Sequence, residues 1–215
     1  MVAVSPLDPE PTVADASQQE DTSGDQIFVM YGVSWDAYEG ILAALGDDHP
    51  GVRMTYCEGT LELMSPGGPH EWNKKMLARL VEAYAEEAGL PLSGYGSMTF
   101  RKKAKERGAE PDECYVLGTV EEGEGPALAI EVIYKSGSIN KLSVYAGLGV
   151  PEVWFWKKNA LSIHVLGANG YTTATRSAFL PGLDMDELVD FVRRKGDQTG
   201  LVQAWRARVR ERRGA

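Results

Sequence analysis

The 215-residue chain is poor in the residues that staple or ligate: it has two cysteines, Cys57 and Cys114, and three histidines, His49, His70 and His164. Two cysteines are no disulfide framework at this size, and neither stands at zinc-ligand spacing. Reduced thiols in a cytoplasmic protein are the expectation. No uninterrupted apolar run reaches about 18 residues, so no membrane span is expected. The N-terminus has no basic-then-apolar layout of the kind that directs secretion. A Ser-His-Asp set, a phosphate-cradling loop, a glycine-rich dinucleotide fingerprint and a zinc cluster are all missing, which removes the common rival enzyme classes. No internal repeat is present.

Positive charge is also lacking where it would be easiest to place. Residues 1–26 contain six acids, Asp8, Glu10, Asp15, Glu20, Asp21 and Asp25, and no lysine or arginine. They carry −6 of the formal net charge of −9, leaving −3 for the remainder. The stretch is rich in Pro, Ser, Thr and Gln and is expected to be a disordered acidic tail over 1–26, with a single domain over 27–215. At the other end Arg206, Arg208, Arg210, Arg212 and Arg213 stand against one acid, Glu211. Overall acidity therefore does not exclude a nucleic-acid partner. It argues against tight nonspecific binding, which draws its affinity from phosphate neutralisation.

With 43% apolar residues the chain can bury one substantial core. A helix is expected from Ser34, as N-cap, to Leu45, with Gly46 past its end. Residues 53–57 and 60–64 read as strands joined at Glu58-Gly59. A long helix follows over 70–88, ended by Gly89 and Pro91. A strand over 95–100 leads into a basic stretch, residues 101–108, with five Lys/Arg residues; a solvated loop and phosphate steering both explain it. Two strands around 112–117 and 127–131, a helix over 138–148 and a strand from Glu152 to Trp156 give a parallel pair with a crossover. Asn169-Gly170 marks a hairpin between 161–166 and 171–175. Helices over 185–195 and 200–213 close the chain. The fold class expected is α/β (α+β), a mixed sheet flanked by helices.

The candidate chemistry sits on the hairpin. Asp112 opens the apolar run 114–117 and Glu131 closes the run 127–130, and their midpoint falls in a Gly/Glu loop that cannot continue a strand. Paired as a hairpin, the two acids face each other with Cβ atoms roughly 5 Å apart. Carboxylates that close repel unless a cation lies between them, and a divalent ion with oxygen ligands is the simplest such partner. Glu131 lies within Ala-Ile-Glu-Val-Ile, so it is desolvated and needs a partner. Lys141 falls in the first turn of a helix, where it opposes the helix dipole and local energetics do not explain it.

Pro111-Asp112, Ala129-Ile130-Glu131-Val132 and Lys141 resemble the PD-(D/E)XK nuclease superfamily, and specifically its Uma2 endonuclease family. The segments 59–66, Pro69-His70-Glu71, 96–100 and 142–154 are similar to that family too, so the resemblance spans roughly residues 31–190. It implies a bacterial protein with a restriction-endonuclease-like fold. The superfamily lysine two residues past the second acid is replaced here by Ile133; the family usually supplies it from the following helix, where Lys141 stands. His70 matches the family's Ser-Pro…His segment, and Glu71 corresponds to the acid that the superfamily takes from its first helix, although an ion pair with Lys75 accounts for it equally. Glu62 could face solvent or the site. Lys135 is the alternative to Lys141. His49 and His164 read as structural, and Trp154 and Trp156 as core.

The expected activity is metal-dependent phosphodiester hydrolysis, with Asp112 and Glu131 binding Mg2+ or Mn2+ and Lys141 and His70 completing a DNA endonuclease site. RNA as substrate and a homodimer remain open, and a noncatalytic nuclease-fold interaction protein is the rival reading.

Overall fold

The computed structural model describes residues 24–46, 51–119 and 125–214. The tail proposed for 1–26 therefore lies outside the described residues up to 23, as does His49. Its last two residues do not behave as tail: Asp25 is buried and Gln26 opens strand β1 (Gln26–Tyr31). The apolar run Ile27-Phe-Val-Met-Tyr31 pairs antiparallel with β3 (Thr60–Ser65), from Gln26 opposite Ser65 to Tyr31 opposite Thr60.

Two sheets form where one was expected. The first is antiparallel, ordered β1-β3-β2-β6-β5, with β2 (Arg53–Cys57), β5 (Phe100–Lys102) and β6 (Arg107–Ala109). Glu58 and Gly59, both at positive φ (44° and 86°), make the two-residue turn between β2 and β3. Helix α1 (Trp35–Leu45) is capped by Ser34, whose hydroxyl accepts the Ala37 N–H at 3.2 Å. It lays Trp35, Tyr38 and Leu42 on Met54, Tyr56 and Leu61 of this sheet. A Cβ on Gly108 would meet the Tyr38 hydroxyl at 2.2 Å, so β6 passes under α1 only as glycine.

The second sheet is mixed, ordered β11-β10-β9-β8-β7-β4, from β4 (Leu92–Gly94), β7 (Glu113–Leu117), β8 (Leu128–Ile133), β9 (Glu152–Lys157), β10 (Ala160–Gly167) and β11 (Gly170–Ala174). β8 and β9 are parallel, joined by helix α3 (Lys141–Leu148). One face packs on α2 (Gly68–Ala88), α4 (Met185–Arg193) and α5 (Gln198–Gly214) through Leu77, Leu80, Trp154, Trp156, Phe191 and Trp205. The other face, with Cys114, Ala129 and Val153, covers Val144, Tyr145 and Leu148 of α3, with Phe100 and Ala109 of the first sheet closing that core. Alternation along β8 thus sends Ile130 and Val132 to α2 and Glu131 to α3.

Several expectations fail locally. No strand runs through 95–100: Gly96 turns at φ 56°, and the segment links β4 to β5, with only Phe100 in a strand. The basic stretch is a sheet hairpin, and three of its cations are matched by acids: Arg101 with Glu39 at 3.5 Å, Lys103 with Asp36 at 3.0 Å and Arg107 with Glu58 at 2.9 Å. Three of the five charges are thus offset locally, while Lys102 and Lys105 have no acid partner among the described residues. Four of the five C-terminal arginines are likewise committed, Arg206 and Arg210 to Glu87 and Arg208 and Arg212 to Glu187, which tie α5 to α2 and α4.

Candidate active site

The hairpin register is Glu113 opposite Ile130, Cys114 opposite Ala129 and Tyr115 opposite Leu128. Extending it by one step sets Asp112 against Glu131 at the open end of β7 and β8. Both side chains are about 1% exposed. Asp112 Oδ2 accepts the Val132 N–H at 2.8 Å, which locks the acid across the hairpin mouth. Asp112 Oδ1 is 2.9 Å from His70 Nε2, and the opposite nitrogen of that ring, Nδ1, is 3.0 Å from Asp25 Oδ2. Asp25 is fixed in turn by the Gly67 N–H at 3.1 Å. The result is a buried row, Asp25–His70–Asp112, carried by the residue before β1, the first turn of α2 and the residue before β7.

Glu131 is held from α3. Lys141, at N1 of the helix, places Nζ 2.6 Å from Oε2, and Tyr145, one turn on, donates its hydroxyl to Oε1 at 2.5 Å. Asn140 caps the helix by accepting the Leu142 and Ser143 N–H groups. The approach to α3 is fixed by Glu62, which is 3% exposed and accepts the Ser138 N–H at 2.9 Å. A Cβ on Gly137 would stand 1.9 Å from Glu62 Oε2, so only glycine lets this turn close over the carboxylate. Glu62 thus faces the interior and supports the turn that delivers Lys141.

The electrostatics follow from burial set against partners. Desolvation drives Asp112 up, but the hydrogen bond and charge of His70, with Lys141 and the Val132 N–H, prevail and its pKa falls below the ordinary carboxylate value. Glu131 is raised: burial dominates and Asp112 adds repulsion, against the opposing pull of Lys141 and Tyr145. For His70 burial acts downward, yet Asp112 and Asp25 together lift it to about 9, so the ring is an imidazolium at neutral pH. Lys141 is desolvated but pushed above its usual value by Glu131 and Asp112. Four buried carboxylates, Asp25, Glu62, Asp112 and Glu131, therefore face two cations.

Asp112, Glu131, Lys141 and His70, each expected at the site from sequence, are brought together. Glu71 is not: it is half exposed and pairs with Lys74 at 3.5 Å rather than with Lys75. Lys135 is exposed. His164 lies 3.0 Å from Ser162 Oγ, away from the site. Glu152, in the 142–154 segment, is structural: it accepts from Trp154 Nε1, Ser177 Oγ and the N–H groups of Ala178 and Phe179. Asp25 and Tyr145 were missed. Tyr145 was findable, because it lies four residues past Lys141 on the same helix face.

The model of the Uma2 family, described as putative restriction endonuclease, matches residues 35–193. The chain belongs to the Uma2 family. No curated protein matches it. Among solved structures, a putative nuclease belonging to DUF820 from Anabaena variabilis is similar, at 11% identity and a TM-score of 0.48, over 65% of this chain and 90% of that one. The family match reaches from α1 to the end of α4 and includes every site residue named above except Asp25.

Proposed function

We propose that this Uma2 protein is a metal-dependent endonuclease acting on DNA. The observation that carries the reading is the convergence of Asp112, Glu131 and Lys141 at one hairpin mouth, with the lysine amine 2.6 Å from Glu131. Asp112 and Glu131 fit a hard divalent cation such as Mg2+ or Mn2+. Each carboxylate oxygen has one protein partner and retains a second lone pair, and the acids outnumber the cations around them. Among the described residues no group of three His, Cys, Asp or Glu side chains is placed to hold a metal alone. A set of two carboxylates completed by water and backbone carbonyls, such as that of Val132 or Ile133, is what Mg2+ tolerates and Zn2+ does not favour.

A bound divalent ion would polarise the phosphoryl oxygen and make a coordinated water more acidic. The chain's own groups do the remainder. Lys141 stays an ammonium, so it donates: it orients the attacking water and stabilises charge on the phosphorane-like transition state. Tyr145 and the Val132 N–H fix the two carboxylates before substrate arrives, which lowers the reorganisation needed on binding. His70, charged and gripped by Asp25, holds Asp112 in one rotamer and supplies a second positive charge close to the metal ligands.

One observation favours the rival, a nuclease-fold binding protein without activity. All four oxygens of Asp112 and Glu131 already lie against protein groups, three in hydrogen bonds and Asp112 Oδ1 at ion-pair distance from His70 Nε2. Cleavage of plasmid, single-stranded DNA and RNA in Mg2+ and Mn2+ separates the readings. Nicking that requires the ion and vanishes in Glu131→Gln supports the endonuclease, and RNA-only cleavage reassigns the substrate. Retained nucleic-acid binding with no cleavage in either ion supports the rival.

A further inference from the structure

Beside the candidate active site lies a cavity of about 350 Å3 lined by Trp72 and Asn73 of α2, Tyr134 just after β8, and Arg193, Arg194 and Lys195 at the end of α4. Two of its walls are exposed aromatic rings. Trp72 is 43% exposed and Tyr134 48%, whereas the other four tryptophans, Trp35, Trp154, Trp156 and Trp205, are 5% exposed or less. Tyr134 does not swing freely: buried Asn73 donates to its hydroxyl at 2.5 Å. Its ring centroid is 6.4 Å from that of His70, so the aromatic wall adjoins the Asp112 end of the site.

The cations opposite have capacity left. Arg193 uses Nε on the Asn159 carbonyl at 2.7 Å and keeps its terminal nitrogens. Arg194 is engaged with Asp190 and lies 3.8 Å over the Phe191 ring. Lys195 makes no hydrogen bond or ion pair among the described residues and is exposed. Elsewhere three of the five basic residues of 101–107 and four of the five arginines of α5 are paired with acids, which lowers what they offer to the phosphates of a duplex.

We infer that this cavity takes one unpaired nucleotide of the substrate strand, its base against Trp72 and Tyr134 and its phosphate toward Arg193 and Lys195. The rings need an uncovered base face to stack on, and a base pair within its helix has both faces covered by neighbouring pairs. Aromatic walls reward an exposed base face regardless of sequence. The pinned Tyr134 ring reduces the ordering cost of stacking. The inference rests on the nuclease reading for the identity of the strand and extends it to frayed, flapped or single-stranded substrates.

Binding, measured apart from cleavage, tests it. With metal omitted, dT10 and U10 should quench tryptophan emission, because Trp72 is the one tryptophan with an open face, and the quench should vanish in Trp72→Phe. Trp72→Ala and Tyr134→Ala should each weaken dT10 by about tenfold or more. A blunt 20-base-pair duplex should bind more weakly and be little affected by either change. Lys195→Gln should reduce the salt dependence of dT10 binding. The subsite is refuted if variants that melt as the wild type bind dT10 with unchanged affinity, or if the duplex binds as tightly as dT10 without altering emission. A protein that binds dT10 through Trp72 but cleaves nothing supports the subsite while removing the nuclease reading; cleavage unaffected by the aromatic changes does the reverse.

Discussion

Replacing Asp25 with asparagine should cost stability in a way that depends on pH. Asp25 is 7% exposed; Oδ1 accepts the Gly67 N–H and Oδ2 lies 3.0 Å from His70 Nδ1. Asparagine has nearly the same volume but one acceptor where the site needs two, so an amide N–H is turned toward a donor. The charge matters more than the shape. In the folded protein His70 titrates near 9 instead of 6.5. A folded value above the unfolded one stabilises fully below pH 6.5, and the benefit is lost as pH rises through 9. The whole rise corresponds to about 3 kcal/mol at most. Two carboxylates share it, Asp112 the more strongly, so losing Asp25 should remove about 1–1.5 kcal/mol. For a domain of this size that is about 2–6 °C in Tm. Denaturant titrations in metal-free buffer from about pH 5.5 to 9.5 would read it directly. The gap between wild type and Asp25→Asn should be widest at about pH 6 and should narrow toward pH 9.5. A gap of constant size would show that Asp25 acts by packing alone, and no gap would remove it from the site.

Other outcomes follow from the same geometry. Lys141→Ala should leave Mg2+ and Mn2+ binding nearly intact in calorimetry while lowering turnover by about 10²–10⁴-fold; equal turnover would shift the role to another cation such as Lys135. Glu131→Gln should abolish ion binding and also lower Tm in metal-free buffer, because it leaves the buried Lys141 ammonium without its counter-charge; unchanged ion binding would reject it as a ligand. Gly137→Ala must displace the Glu62 carboxylate from the Ser138 N–H, and should lower stability by about 1–3 kcal/mol in denaturant titrations together with activity. Deleting residues 1–23 should not change Tm, whereas deleting 1–26 should lower it, because only the longer cut removes Asp25 and the first pairing of β1.

The hairpin carrying Asp112 and Glu131 was legible because a loop that cannot be strand fixes the midpoint of its two arms, and the midpoint fixes the register. The same reasoning brought Lys141 in, through its misfit with the helix dipole. What stayed hidden depended on pairing between distant segments. Asp25 shares the composition of the acidic residues before it, and only the alignment of β1 with β3 carries it to Gly67 and His70. Period-two patterns identify strands but not their partners, so two sheets looked like one. The basic run 101–107 looked free because its counter-charges, Asp36, Glu39 and Glu58, lie more than 40 positions earlier. Gly96 should have divided the expected strand at 95–100, since a positive φ interrupts the ladder.

Lys141 shows how local energetics and site chemistry were traded. A cation at the first position of a helix costs about 0.3–1 kcal/mol against the dipole, and burying an ammonium costs considerably more. Glu131 offsets both, but it is itself buried beside Asp112, so each member of the pair is tolerable only while the other is present. That mutual dependence explains why the turn before α3 is so constrained. Glu62 fixes the 138–139 backbone, Gly137 leaves room for Glu62, and Asn140 caps the helix, so the amine has one place to go. With Ile133 at the position two past Glu131, the strand itself offers no cation on that spacing. The helix N-terminus is then the nearest rigid element able to present one to the same carboxylate. On the proposed nuclease reading, that local cost secures the lysine–carboxylate geometry that phosphodiester hydrolysis would use.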